Sequence, residues 1–110
     1  MVSPQVEKET PEPLKEGWRE YEMVGIFRPD LSPEAVESAL SALTQLMQVE
    51  GKLVIMDLWG RKKLAYPIKN FVEGVYFLIR FQSNPSFIKK LEARLKLSEE
   101  LLRHLVVLTK

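Results

Sequence analysis

The stretch Gly60-Arg61-Lys62-Lys63-Leu64-Ala65-Tyr66-Pro67-Ile68-Lys69 sets a dense block of cations directly before alternating apolar residues. Its reading decides the middle of the fold. Upstream, Leu53-Val54-Ile55-Met56-Asp57-Leu58-Trp59 is already β-prone, and the apolar pattern resumes past Gly60. This predicts one long strand with a bulge or bend at the glycine. Downstream, residues 70–74 supply turn residues, and Val75, Phe77, Ile79 and Phe81 alternate with Tyr76, Leu78, Arg80 and Gln82 as a further strand. The two strands are expected to form a long antiparallel hairpin, with Arg61, Lys62 and Lys63 projecting to both of its faces.

Working outward, the short apolar run Tyr21-Glu22-Met23-Val24-Gly25-Ile26-Phe27 is closed by Pro29-Asp30 and reads as a buried first strand. Ser32 then stands as an N-cap, with Pro33 at the first helical position and Glu34 in the first turn, where the helix dipole favours an anion. Val36, Leu40, Leu43 and Met47 recur at helical spacing, and Gly51 is expected to end that helix. Asn84-Pro85 opens a second helix whose stripe is Phe87, Ile88, Leu91 and Leu95, with Lys89, Lys90, Arg94 and Lys96 outside it. Residues 101–108 close the chain as a fourth strand.

The order strand, helix, strand, strand, helix, strand predicts an α+β fold of the ferredoxin-like split βαβ type (βαββαβ). Four antiparallel strands would be covered on one face by two helices. If Val75, Phe77, Ile79 and Phe81 face the helices, then Tyr76, Leu78 and Arg80 lie on the open face, a sticky set for a solvated surface.

With 110 residues, 45% of them hydrophobic, the chain suits one compact domain, residues 18–110. Residues 1–17 hold Pro4, Pro11 and Pro13 among Glu and Lys and read as a flexible tail. There is no cysteine and a lone His104, which excludes disulfides, thiolate metal sites and an imidazole cluster. No apolar run approaches the ~20 residues that span a bilayer, so a soluble protein with no membrane partner is expected. Residues 1–22 carry three basic and six acidic groups, leaving thirteen basic against nine acidic in the rest. That modest excess suits a local basic patch or a helping partner protein.

Arg61, Lys62, Lys63 and Lys69 are candidates to hold phosphate, with Tyr66 able to stack on a base. The competing reading is a strand edge charged against aggregation. Arg103 and His104 face opposite ways in the last strand; Lys110 ends the chain. Arg19 and Arg28 bracket the first strand, and the cations of the second helix read as a solvated face. Trp18 and Trp59 are read either as core or as contact anchors. The chain has no Gly-rich phosphate loop, no paired acid-base carboxylates and no Ser-His-Asp set, so neither an enzyme nor a small-molecule substrate or cofactor is expected. A stand-alone RNA-binding module of this topology would need aromatics on the central strands, and Tyr21 and Tyr76 lack its Lys/Arg-Gly-Phe/Tyr context.

Tyr21-Glu22 opening the first strand, Gly60-x-Lys62-x-Leu64-Ala65-Tyr66-x-Ile68-Lys69, and Leu102-Arg103-x-Leu105-Val106 together resemble the small-subunit ribosomal protein six family of bacteria and organelles. The likeness covers about residues 18–110. It implies a non-enzymatic protein that binds the central domain of small-subunit rRNA as a heterodimer with ribosomal protein eighteen. A shared RNA site would account for the modest charge. By resemblance, Arg19, Lys62, Lys69 and Arg103 become rRNA-contact candidates alongside Arg61, Lys63 and Lys110. Tyr76 and Leu78 on the open face, with Tyr66, become candidates for contact with the partner protein. The extension before Trp18 is longer than the family's usual start, which suits a processed plastid (chloroplast) protein, with a bacterial extension as the alternative.

Overall fold

The computed structural model describes residues 14–109. Expectations placed on residues 1–13 and on Lys110 lie outside the described residues. Six elements follow in the expected order: β1 Arg19–Phe27, α1 Pro33–Glu50, β2 Gly51–Ile68, β3 Phe71–Ser83, α2 Pro85–Lys96 and β4 Leu101–Leu108. The strands form one antiparallel sheet in the order β2-β3-β1-β4. Both helices pack on the same face, which is the split βαβ arrangement.

Both helices begin as their sequences dictate. The Ser32 hydroxyl accepts a hydrogen bond from the Ala35 amide at 3.1 Å, and the Asn84 side chain accepts one from the Ser86 amide at 3.0 Å, each ahead of a proline. Val36, Leu40 and Met47 of α1 and Phe87, Leu91 and Leu95 of α2 are buried against Met23, Phe27, Phe77, Ile79 and Phe81 of the sheet. Phe27 and Phe77 stack with ring centroids 4.6 Å apart, and Phe87 meets Phe81 edge-on at 6.1 Å. Burying each such side chain contributes about 1.5–3 kcal/mol, so this layer holds the fold.

One expectation is corrected and two are sharpened. Gly51 ends α1 as expected, and it does so in extended backbone (φ −166°), being already the first residue of β2, paired with Ser83. A side chain there would run into the Gln82 carbonyl oxygen, so the glycine serves close strand approach. The hairpin turn is Lys69-Asn70, not residues 70–74. Both residues have positive φ (51° and 71°) between the paired Ile68 and Phe71, as a two-residue type I′ turn requires. Trp59 is not core. It sits 44% exposed beside Gly60, whose φ of +94° marks the bulge foreseen there.

The widest irregularity was not foreseen. The β2–β3 register jumps from Lys63 opposite Glu73 to Ile68 opposite Phe71, so four residues (64–67) face one, Val72. Pro67 has no N–H to offer the ladder. The looped-out chain turns Leu64 inward against Ile26 and Leu102, with Ile68, Phe71 and Tyr76 packed around them. This small second core lies on the face away from the helices. That face is therefore covered at one end, and Tyr76, expected to be open, is half-buried there.

Candidate nucleic-acid interface

The hairpin carries residues 62–74 past the end of β1, because β1 stops at Phe27 opposite Val75 while β2 and β3 continue. Most of the candidate cations gather at this end of the sheet. Arg61 is held within the protein: its guanidinium donates to the Pro29 carbonyl at 3.2 Å and pairs with Glu73 at 3.3 Å. It braces the hairpin against the β1–α1 loop. Lys62 places its ammonium 5.6 Å from the centre of the Trp59 ring, within cation–π range. That indole is oriented by its N–H, which donates to the Asp57 carboxylate at 2.9 Å.

Tyr66 is 61% exposed on the looped-out segment, and its hydroxyl accepts from Arg103 at 3.4 Å. The bond is long and weak, but it places the β4 cation beside the hairpin block. Lys69 occupies the exposed turn and Lys63 is exposed on the strand. Lys62, Lys63, Lys69 and Arg103 thus share one end of the molecule with two exposed aromatic rings, Trp59 and Tyr66. Arg19 is not brought to them. It pairs with Ser83 at the opposite end of β1, roughly 26 Å away at ordinary strand rise.

The rest of the open face is partitioned. Across its middle, Val24 pairs with Leu78 on one side and Leu105 on the other. Leu105 is 61% exposed, and Val107 is also exposed. Beyond this apolar row, Arg80 pairs with Glu22 at 2.6 Å and lies 3.7 Å from Glu20. There the Arg80 guanidinium is answered by two carboxylates. Arg28 is likewise engaged, with Asp30 at 2.8 Å. Its hydrogen bond holds the Asp30 carboxyl below the ordinary carboxylate value, and the same contact raises the Arg28 guanidinium. His104 faces the helices and meets Glu92 of α2 at 3.0 Å.

Sequence reasoning left Trp59 undecided and missed Val24, Leu105 and Val107. The alternation of Arg103, Leu105 and Val107 along β4 carried the latter signal, since alternate strand residues share a face. Among the described residues no helix is long and apolar enough to cross a membrane.

Comparison with known proteins agrees with this architecture. The family model described as Ribosomal protein S6 matches residues 20–108. The small ribosomal subunit protein bS6 of Clostridioides difficile is 38% identical over 89 residues, covering 81% of this chain and 97% of that protein. The bS6 protein of Moorella thermoacetica is also 38% identical, covering 80% and 91%. The crystal structure of 30S ribosomal protein S6 from Thermotoga maritima superimposes with a TM-score of 0.80 at 28% identity, covering 84% of this chain and 88% of that one. These relatives are bacterial and lend no support to the plastid origin read from the N-terminal extension. The chain belongs to the ribosomal protein S6 family, non-enzymatic structural proteins of the small ribosomal subunit.

Proposed function

We propose that the chain binds the central domain of small-subunit rRNA with the hairpin end of its sheet, and does so jointly with ribosomal protein eighteen. The observation that carries this reading is the gathering of Lys62, Lys69 and Arg103 toward the hairpin end of the sheet, with Lys62 beside the Trp59 ring and Arg103 joined to the hairpin through the Tyr66 hydroxyl. Cations would position phosphates, and exposed rings would stack unpaired bases. Arg61 serves chiefly to hold the hairpin in place. The apolar row Leu78, Val24 and Leu105 beside this end fits the partner protein, with Tyr66 at its margin and Tyr76 supporting it from the small second core.

The test is binding to the central-domain rRNA junction, with and without ribosomal protein eighteen, across a salt series. Tight binding only with the partner, weakening as salt rises, is expected. Binding indifferent to the partner would make this a stand-alone RNA module. No binding in either case would overturn the RNA reading.

A further inference from the structure

The two edges of the sheet are built differently. β2 carries Lys52, Arg61, Lys62 and Lys63, three breaks in its register, a positive-φ glycine at Gly60 and a proline at Pro67. Natural sheets use such devices to keep an edge from pairing with another chain. β4, at the other edge, has none of them from Leu105 to Leu108. These four residues are all apolar; Leu105 is 61%, Val107 40% and Leu108 50% exposed, and no strand among the described residues pairs with their outer side. The basic residues just before them are engaged, Arg103 with the Tyr66 hydroxyl and His104 with Glu92.

The backbone of this edge is a template. The Thr109 amide donates to the Glu20 carbonyl at 3.0 Å, so the alternate residues Thr109, Val107 and Leu105 turn their backbone groups toward β1. His104, Val106 and Leu108 therefore point an N–H and a C=O outward, where one further strand can pair.

Such a strand meets two unlike surroundings. On the open face it lies beside Leu105 and Val107, with Glu20 and Glu22 of β1 beyond them, so apolar side chains fit there and acids do not. On the other face it lies beneath α2. Glu92 meets His104, so the ridge of α2 that holds Lys89, Glu92 and Lys96 overhangs β4. Lys96 stands near Glu99 and Glu100, which follow in the loop before β4. Lys89 lies one turn the other way, exposed above the Leu105–Leu108 half, because α2 runs antiparallel to β4. An acidic side chain fits beside it. A second copy of the chain fits poorly, since pairing β4 with itself about Val106 sets α2 against α2 and Lys89 against Lys89, and like charges oppose association.

We infer that the β4 edge takes an extended segment of a partner protein as a fifth strand along Leu105–Leu108, with apolar side chains toward the open face and an acidic one toward Lys89. The assignment is separate from the rRNA reading, because nothing in it requires nucleic acid.

The probe is a short synthetic peptide alternating valine and glutamate, titrated into the full-length protein and followed through backbone amide signals. Shifts at residues 104–108, with slowed hydrogen exchange at the Val106 and Leu108 amides, are expected. The same peptide with lysine in place of glutamate should bind roughly threefold more weakly, as one exposed charge contact implies, and Lys89→Glu should remove that difference. Leu108→Pro deletes one outward N–H and spares the ladder to β1; it should weaken binding roughly fivefold, as loss of one backbone hydrogen bond implies. Absence of shifts, shifts centred on Val24 and Leu78 or on residues 51–59 of β2, or equal binding of the two peptides would overturn the proposal. So would signals at residues 104–108 that broaden as the protein alone is concentrated, since a second copy would then occupy the edge.

Discussion

On the helix-covered face of β3, Phe77, Ile79 and Phe81 are fully buried, whereas the residues alternating with them, Tyr76, Leu78 and Arg80, remain half-buried with no helix above them. One strand thus supplies both layers, and a shift of one residue would exchange them. The buried set carries the stability. The other set is free to vary its chemistry from an acid-answered arginine, through leucine, to a tyrosine braced beneath the basic hairpin.

The largest test of this contrast is Phe77→Ala, which removes the ring stacked on Phe27. It should cost about 3–5 kcal/mol of unfolding free energy, read by urea titration. A loss under about 1 kcal/mol would mean that the helix-covered layer does not dominate stability. Leu78→Glu, one residue further along, should change stability by less than about 1 kcal/mol. It should nevertheless weaken binding in the presence of ribosomal protein eighteen by about 2 kcal/mol, close to thirtyfold. Equal effects on stability and binding would erase the distinction between the faces.

Charge reversal sharpens the comparison along the open face. Lys62→Glu or Arg103→Glu should each weaken rRNA binding roughly tenfold at low salt, and Lys90→Glu on α2 by much less. Equal losses from all three, measured by filter binding, would remove the hairpin end as the site. Arg61→Ala should act differently, costing about 0.2–1 kcal/mol of stability through loss of an exposed pair. The smallest effect concerns Asp30. Its carboxyl titrates below the ordinary value, so the Arg28 contact stabilises the fold above the unfolded-state value and is lost as pH falls through the lowered one. In Arg28→Ala the carbon-detected titration midpoint of Asp30 should move up; an unmoved midpoint would remove that contact as its cause.

Most of the fold was legible because its signals are local. Ser32-Pro33 and Asn84-Pro85 start their helices through one side chain and one fixed φ, and the alternation in β3 names the buried face without reference to any other strand. The candidate site was legible only in part. Lys62, Lys69 and Arg103 were named and lie toward the same end of the sheet, but Arg61 was named with them and is tied to Pro29 and Glu73. Arg19 was named too, and it stands at the far end of the sheet. Nothing in the order of residues distinguishes a cation that finds a partner twelve or more positions away from one that does not.

The sequence by itself determined the order of the six elements, their caps and the residues of the main core, because propensity, capping and periodicity act within a few residues. Only the tertiary structure decided that residues 64–67 loop out, that Leu64 and Tyr76 close a second small core, and that Tyr66 thereby reaches Arg103 of β4. Those outcomes depend on strand register, which is settled when separate segments compete for the same pairing partners and the same buried space.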